Sequence, residues 1–177
     1  TDLGYANSEI HTCASTFGYS NAFRILSSEG VAAMTEVCEA IYDNRTDSLG
    51  TGANRLGSYA RGAGYRSRFL RDFCDSVDLA EHLSAIAGVE LGRHSVPAVA
   101  CGINYAPDDI TRAVDSWHVD SVNFDVVMMV TDPAALKGGE FQVFEGTRRE
   151  GEALLGTSGE AGGTLQLPAS RVSTIPF

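Results

Sequence analysis

Basic residues are scarce in this chain. Thirteen Lys and Arg stand against 23 Asp and Glu, a formal net charge of −10. Phosphate chains are held by clustered cations, so nucleic acid and anionic membrane are poor partners for it. The acidic residues are dispersed, and solubility accounts for them. Long apolar runs are also missing. No stretch approaches the ~20 residues that cross a bilayer, and no basic-then-apolar leader opens the chain. Cysteine is limited to Cys13, Cys38, Cys74 and Cys101. None forms a Cys-x-x-Cys pair, which argues against a zinc ribbon or a disulfide framework. The expectation is a reduced, cytoplasmic protein, with Cys38 and Cys74 acting as small apolar residues. Glycines are plentiful, yet the Gly-x-x-x-x-Gly-Lys-Ser/Thr phosphate loop is absent. The histidines are His11, His82, His94 and His118, and none follows His118.

What is present suffices for one globular domain with a core: 177 residues, 44% of them hydrophobic. Residues 1–21 are polar and loop-like, and 22–26 predict a short strand. Ser27 or Ser28 can cap an amphipathic helix over 30–42. There Val31, Met34, Val37, Cys38, Ile41 and Tyr42 recur at helical spacing. Residues 43–64 are loop-rich, with Gly50, Gly52, Gly57, Gly62 and Gly64, and suit either a flexible connection or a lid. Residues 66–74 and 76–87 predict two helices or one bent helix. Ser76 caps the second, Leu79, Leu83 and Ile86 form its stripe, His82 sits half-buried beside it, and Gly88 stops it. Residues 97–105 are β-like, and 106–115 are turn-rich.

Arginines crowd at Arg55, Arg61, Arg66, Arg68 and Arg71. Most are expected to pair with surface carboxylates. One, Arg61 or Arg66, is a candidate clamp for a substrate carboxylate, because guanidinium can make two parallel hydrogen bonds to it.

The chain is organised around Trp117-His118-Val119-Asp120. In an extended segment His118 and Asp120 leave the same face, since side chains alternate with period two. One imidazole and one carboxylate give two ligands at fixed separation. A third from elsewhere completes the 2-His-1-carboxylate face of a non-haem iron. Downstream, 125–130 reads as a buried strand, Asp132-Pro133 as a turn, and Lys137-Gly138-Gly139-Glu140 leads into a second strand over 141–144. Thr147 and Glu150 make a capping box for a short helix that ends at Leu155 and stops at Gly156. Residues 157–163 are glycine-rich, and 171–177 open another strand.

The run WHVDSVNFDVVMMVTDPAALKGGEFQVFEGT resembles the iron(II)- and 2-oxoglutarate-dependent oxygenases, in which His-x-Asp begins the core and Gly-Gly-x-(Phe/Leu) follows. The resemblance covers about a quarter of the chain, and extends more loosely to Asn104-Tyr105 and to 61–67. It implies an α+β protein with a double-stranded β-helix (jelly-roll) core. On that reading 1–97 form helical support and loops, and 98–177 the first part of the core. It implies Fe(II) on His118 and Asp120, 2-oxoglutarate as co-substrate and molecular oxygen as oxidant. It places Asn104 or Tyr105 at the 2-oxoglutarate or substrate pocket, although Tyr105 can equally be a packing residue. Hydroxylation of an unactivated C–H bond is the default outcome. The arginines suggest a small carboxylate-bearing substrate such as an amino acid. Asp120 argues against halogenation, which needs Gly or Ala there.

The family's second histidine and its 2-oxoglutarate-binding arginine lie downstream of the motif. Arg148, Arg149 and Arg171 follow His118, but none follows a distal histidine, so none carries over. The expectation is the front part of a longer protein, because an edge at Ile175-Pro176-Phe177 would be apolar and unpaired. Two further readings stand beside this one: a non-catalytic jelly-roll binding domain, and a cupin-like metal enzyme that does not use 2-oxoglutarate.

Overall fold

The computed structural model describes residues 3–48, 56–109, 111, 113–136, 138–161 and 167–176. In chain order its elements are α1 (Asn7–Ile10), α2 (Ser28–Tyr42), β1 (Thr46–Asp47), β2 (Ser58–Arg61), α3 (Ala63–Arg66), α4 (Arg68–Cys74), α5 (Val77–Ala87), α6 (Pro97–Ala100), β3 (Gly102–Tyr105), β4 (Phe141–Phe144), α7 (Arg148–Ala161) and β5 (Val172–Ile175). Short 3-10 turns lie at Pro133–Ala135 and Ala169–Arg171. The class is α+β. Two compact units are formed. Thr1–Phe23, Trp117–Met128 and Glu140–Phe177 make the first, and Arg24–Ser116 with Met129–Gly139 the second.

The second unit is built on a three-stranded antiparallel sheet in the order β1-β2-β3. Tyr59 pairs with Thr46 on one edge of β2 and with Asn104 on the other. Ser58 and Ala60 point inward, and Leu56, Ala60 and Ala63 are almost wholly buried. Helix α2 begins where Ser27 Oγ accepts the Gly30 N–H at 3.1 Å, and it buries Met34 and Ile41 of the expected stripe. Ser67 and Ser76 cap α4 and α5 in the same way, and Gly88 ends α5 at φ +67°. The left-handed φ there suits a residue without Cβ. Leu79, Leu83 and Ile86 are half-buried, but His82 is exposed.

The first unit carries a two-stranded antiparallel sheet, Phe141 opposite Ile175 and Phe144 opposite Val172. The strands expected at 141–144 and after Arg171 are therefore present. The capping box is present too: the Thr147 N–H donates to Glu150 Oε2 at 2.8 Å, and the Glu150 N–H to Thr147 Oγ1 at 3.3 Å.

Several expectations are corrected. Residues 22–26 are not a strand, and Arg24 instead donates to the Leu26 carbonyl and to Ser28. Residues 125–130 are neither a strand nor buried throughout: Val126 and Val127 are 46% and 52% exposed. β-Propensity makes a strand only where a neighbour supplies the ladder, and among the described residues neither segment has one. The β-like stretch 97–105 opens as α6, with Pro97 in its first turn, and only its end is strand. Helix α7 runs past Gly156 to Ala161. Gly156 has no left-handed φ to end it, and an internal helical glycine costs only ~1 kcal/mol. The loop-rich 43–64 region contains β1 and β2. Its Gly50, Gly52 and Arg55 lie outside the described residues, as do Lys137 and residues 162–166. Gly138 and Gly139 both adopt φ +78°, a backbone turn that a Cβ would strain. The described sheets are small, and a double-stranded β-helix is not evident among them.

Core truncation tests this packing. Met34 is 1% exposed and is the largest fully buried side chain among the described residues. Met34→Ala should lower the unfolding free energy by ~2–5 kcal/mol in chemical denaturation. The Ser58 hydroxyl is buried with no hydrogen-bond partner among the described residues. Ser58→Ala should therefore leave stability equal or higher, since an unmet buried hydroxyl costs ~1–3 kcal/mol.

Candidate functional site

Residues 117–123 form neither helix nor strand, so the His-x-Asp pair does not sit on the strand expected for it. The two side chains meet nonetheless. His118 Nε2 and Asp120 Oδ1 lie 3.1 Å apart, and the side chains are 31% and 47% exposed. That separation makes a hydrogen bond. It also matches two neighbouring ligands of one metal, because donors ~2.1 Å from an ion at a right angle are ~3 Å apart. The donor types, an imidazole nitrogen and a carboxylate oxygen, suit non-haem iron. Among the described residues no group of three His, Cys, Asp or Glu side chains gathers at one point. The pair therefore supplies two donors of a set.

Trp117 precedes this pair and lines an open cavity of about 340 Å³ with Gln142, Leu167, Ala169, Val172 and Thr174. Gln142 and Thr174 are cross-strand partners, and Val172 shares their face two residues along β5. The opposite face carries Ile175, 8% exposed. Arg171 ties the ends of β4, α7 and β5 together. Its Nε donates to the Glu145 carbonyl at 2.6 Å, its Nη2 reaches Glu150 Oε2 at 3.2 Å, and its guanidinium stands 5.0 Å above the Phe144 ring. Arg148 pairs with Glu152 at 2.7 Å. Both arginines thus serve the local fold. The Glu145 side chain accepts from Ser173 and from Tyr19, the latter at 3.1 Å.

The remaining candidates lie in the second unit. Arg61 pairs in register with Gly102, and Tyr59 with Asn104, so these residues share one sheet face. Arg61 and Asn104 are exposed. The Arg61 guanidinium stands 5.7 Å from the Tyr59 ring centre, and among the described residues no carboxylate pairs with it. Arg66 is differently placed. Its Nη1 donates to the Asn44 carbonyl at 2.6 Å beside a cavity of about 380 Å³ lined by Ala40, Ile41, Asn44 and Arg66 itself. Tyr105 is half-buried on the other face of β3. Its hydroxyl donates to the Cys38 carbonyl at 2.8 Å, and its ring meets Tyr42 edge-on at 5.1 Å. Burial raises its phenol pKa, and Cys38 adds to the effect. Arg68 and Arg71 approach Asp72 at 3.4 and 3.5 Å, in keeping with surface pairing.

The structure thus groups Arg61 with Asn104 and separates both from the surroundings of Arg66 and Tyr105. The sequence reading missed this grouping, because it depends on the β2–β3 register. It also missed the Trp117 cavity, which needs the β4–β5 pairing. Comparison with known proteins finds no matching family model, no matching curated protein and no matching solved structure.

The carboxylates of the first unit carry a pH dependence. Hydrogen bonds from Ser173 and Tyr19 hold Glu145 below the ordinary value of 4.5, and bonds from Thr147 hold Glu150 below it. A folded pKa below the unfolded one means that this stabilisation is complete above the unfolded value. It is lost as pH falls through the folded one. The thermal midpoint read from the fluorescence of Trp117, the sole tryptophan, should fall as pH drops below 4.5. Glu145→Gln should flatten that dependence.

Proposed function

We propose that this chain is part of an iron(II)- and 2-oxoglutarate-dependent oxygenase with a double-stranded β-helix core, and that His118 and Asp120 are two of its three protein iron ligands. The observation that carries the reading is the 3.1 Å approach of His118 Nε2 to Asp120 Oδ1 within a segment that resembles the family motif. The third ligand is the family's distal histidine. Bound iron would supply oxygen-dependent C–H oxidation coupled to conversion of 2-oxoglutarate to succinate and carbon dioxide. His118 contributes a neutral ring nitrogen, so its protonation opposes binding. Asp120 contributes negative charge that offsets the cation and, unlike Gly or Ala, fills its ligand position, which favours hydroxylation over halogenation. The substrate is a small carboxylate-bearing molecule. Within the second unit Arg66 is engaged with the Asn44 carbonyl, which leaves Arg61 as that unit's candidate for holding a carboxylate. In the same unit the Tyr105 hydroxyl is engaged with the Cys38 carbonyl, and Asn104 shares a sheet face with Arg61.

A second reading, a non-catalytic jelly-roll binding domain, draws on the lack of a third donor among the described residues. A cupin-like metal enzyme would keep the iron ligands without 2-oxoglutarate. Iron titration of the parent, His118→Ala and Asp120→Ala under anaerobic conditions separates the metal readings from the binding module. Each variant should weaken iron binding by more than the ~10–100-fold typical of outer-shell partners, with circular dichroism unchanged. Equal iron affinity in parent and both variants would overturn the assignment.

A further inference from the structure

The His118–Asp120 pair sits in a segment that belongs to no helix or strand. Side chains on either side of the pair anchor it. Before it, Trp117 lines a cavity with Gln142, Val172 and Thr174 of the β4–β5 sheet. After it, the Phe124 ring meets Phe17, with ring centroids 6.2 Å apart and planes inclined at 31°. That separation lies within the ~4.5–7 Å of favourable ring pairs. Both rings are half-buried, and both belong to the first unit.

Phe17 is itself held by a closed N-terminal loop. Leu3 lies against Gly18, where an added Cβ would stand 3.1 Å from Leu3 Cδ1, so the two ends of the loop meet. Two tyrosines fasten this loop to the rest of its unit. The N–H of Arg148, the first residue of α7, donates to Tyr5 Oη at 2.8 Å. That N–H has no acceptor within its own helix, so the tyrosine meets a need that every helix start has. Tyr19 Oη donates to Glu145 Oε1, just past β4, at 3.1 Å. The Phe17 N–H donates to Ser15 Oγ at 3.0 Å, which closes a turn directly before the ring. Phe17 therefore reaches Phe124 from a loop that is tied down on both sides of it.

We propose that Phe17 is a positioning residue for the iron ligands, acting through Phe124 on the segment that carries His118 and Asp120. The inference rests on the iron reading and adds to it a residue from the other end of the chain. Ordering a free backbone opposes binding, and a segment clamped before the ion arrives avoids that cost. Without the Phe17 ring the segment keeps its Trp117 anchor and loses the one at Phe124. His118 and Asp120 remain chemically intact, but they spend less time at ligand spacing. The loss falls on metal affinity.

The test titrates Fe(II) anaerobically into a protein that includes the distal histidine, and into its Phe17→Ala, Phe17→Tyr, Phe124→Ala and His118→Ala variants and the Phe17→Ala/Phe124→Ala double variant. Phe17→Ala should weaken iron binding roughly 10-fold, the lower end for groups that orient metal ligands from outside. Phe17→Tyr keeps the ring and should bind as the parent does. The double variant should bind no more weakly than the weaker single variant, because both remove the same contact. In the iron-free protein, amide hydrogen exchange over 117–124 should quicken in Phe17→Ala and stay unchanged in α2. Iron affinity in Phe17→Ala equal to the parent's, or losses that add in the double variant, would overturn the inference; binding that His118→Ala still abolishes would then leave the iron reading standing. A parent that binds no iron, or His118→Ala that binds as well as the parent, overturns the iron reading and this inference with it. Should Phe17→Ala fail to fold, Phe17→Leu takes its place, with a loss of affinity still expected because the ring is gone.

Discussion

Strand β2 is hydrogen-bonded on both edges, to β1 and to β3, and the second unit depends on that pairing. The strand is only four residues long, and its inward positions are the small Ser58 and Ala60. Alternation sends Tyr59 and Arg61 to the other face. A slip of one residue would put Tyr59 and Arg61 inside and Ala60 outside, so burial fixes the register. The register in turn sets what lies on each side. Asn104 comes to the face of Arg61, and Tyr105 turns toward Cys38 and Tyr42. Chemistry-bearing residues distant in sequence are thus placed by one short ladder.

The first unit uses a different device. Its sheet has two strands, too few to be stable alone. Arg171 compensates by joining the Glu145 carbonyl, the Glu150 carboxylate at the start of α7 and the Phe144 ring. A Cβ on Gly146 would collide with both the Arg171 guanidinium and the Phe144 ring, so the residue after Glu145 must be small. Polar links between β4, α7 and β5 do here what an apolar core does in the second unit. His118 and Asp120 belong to this unit, and their mutual contact does not require a strand.

Local signals in the sequence were read well where local physics decides. Ser27, Ser76, Gly88 and the Thr147–Glu150 box mark helix ends because the cap lies within a few residues of what it caps. The apolar runs at 22–26 and 125–130 misled because strand formation needs a distant partner that a local pattern cannot supply. The end of α7 was missed because Gly156 resembles a stop but does not adopt the left-handed backbone that makes one. For the candidate site, the His118–Asp120 approach was legible from a two-residue spacing. The Arg61–Asn104 face was not, since it joins segments brought together only by folding. Arg61 and Arg66 looked equivalent in sequence, and only their hydrogen bonds tell them apart.

The central claim is that the His118–Asp120 pair serves an oxygenase that consumes 2-oxoglutarate. It is tested most directly by succinate formation from 2-oxoglutarate in air with added Fe(II), comparing the parent with His118→Ala and Asp120→Ala. The oxygenase reading predicts slow succinate formation, even without a prime substrate, by a parent protein that includes the distal histidine, and none by either variant of it. Succinate at the same rate in all three proteins, or iron binding by the parent with no succinate formed in the presence of any small carboxylate tried, would contradict it.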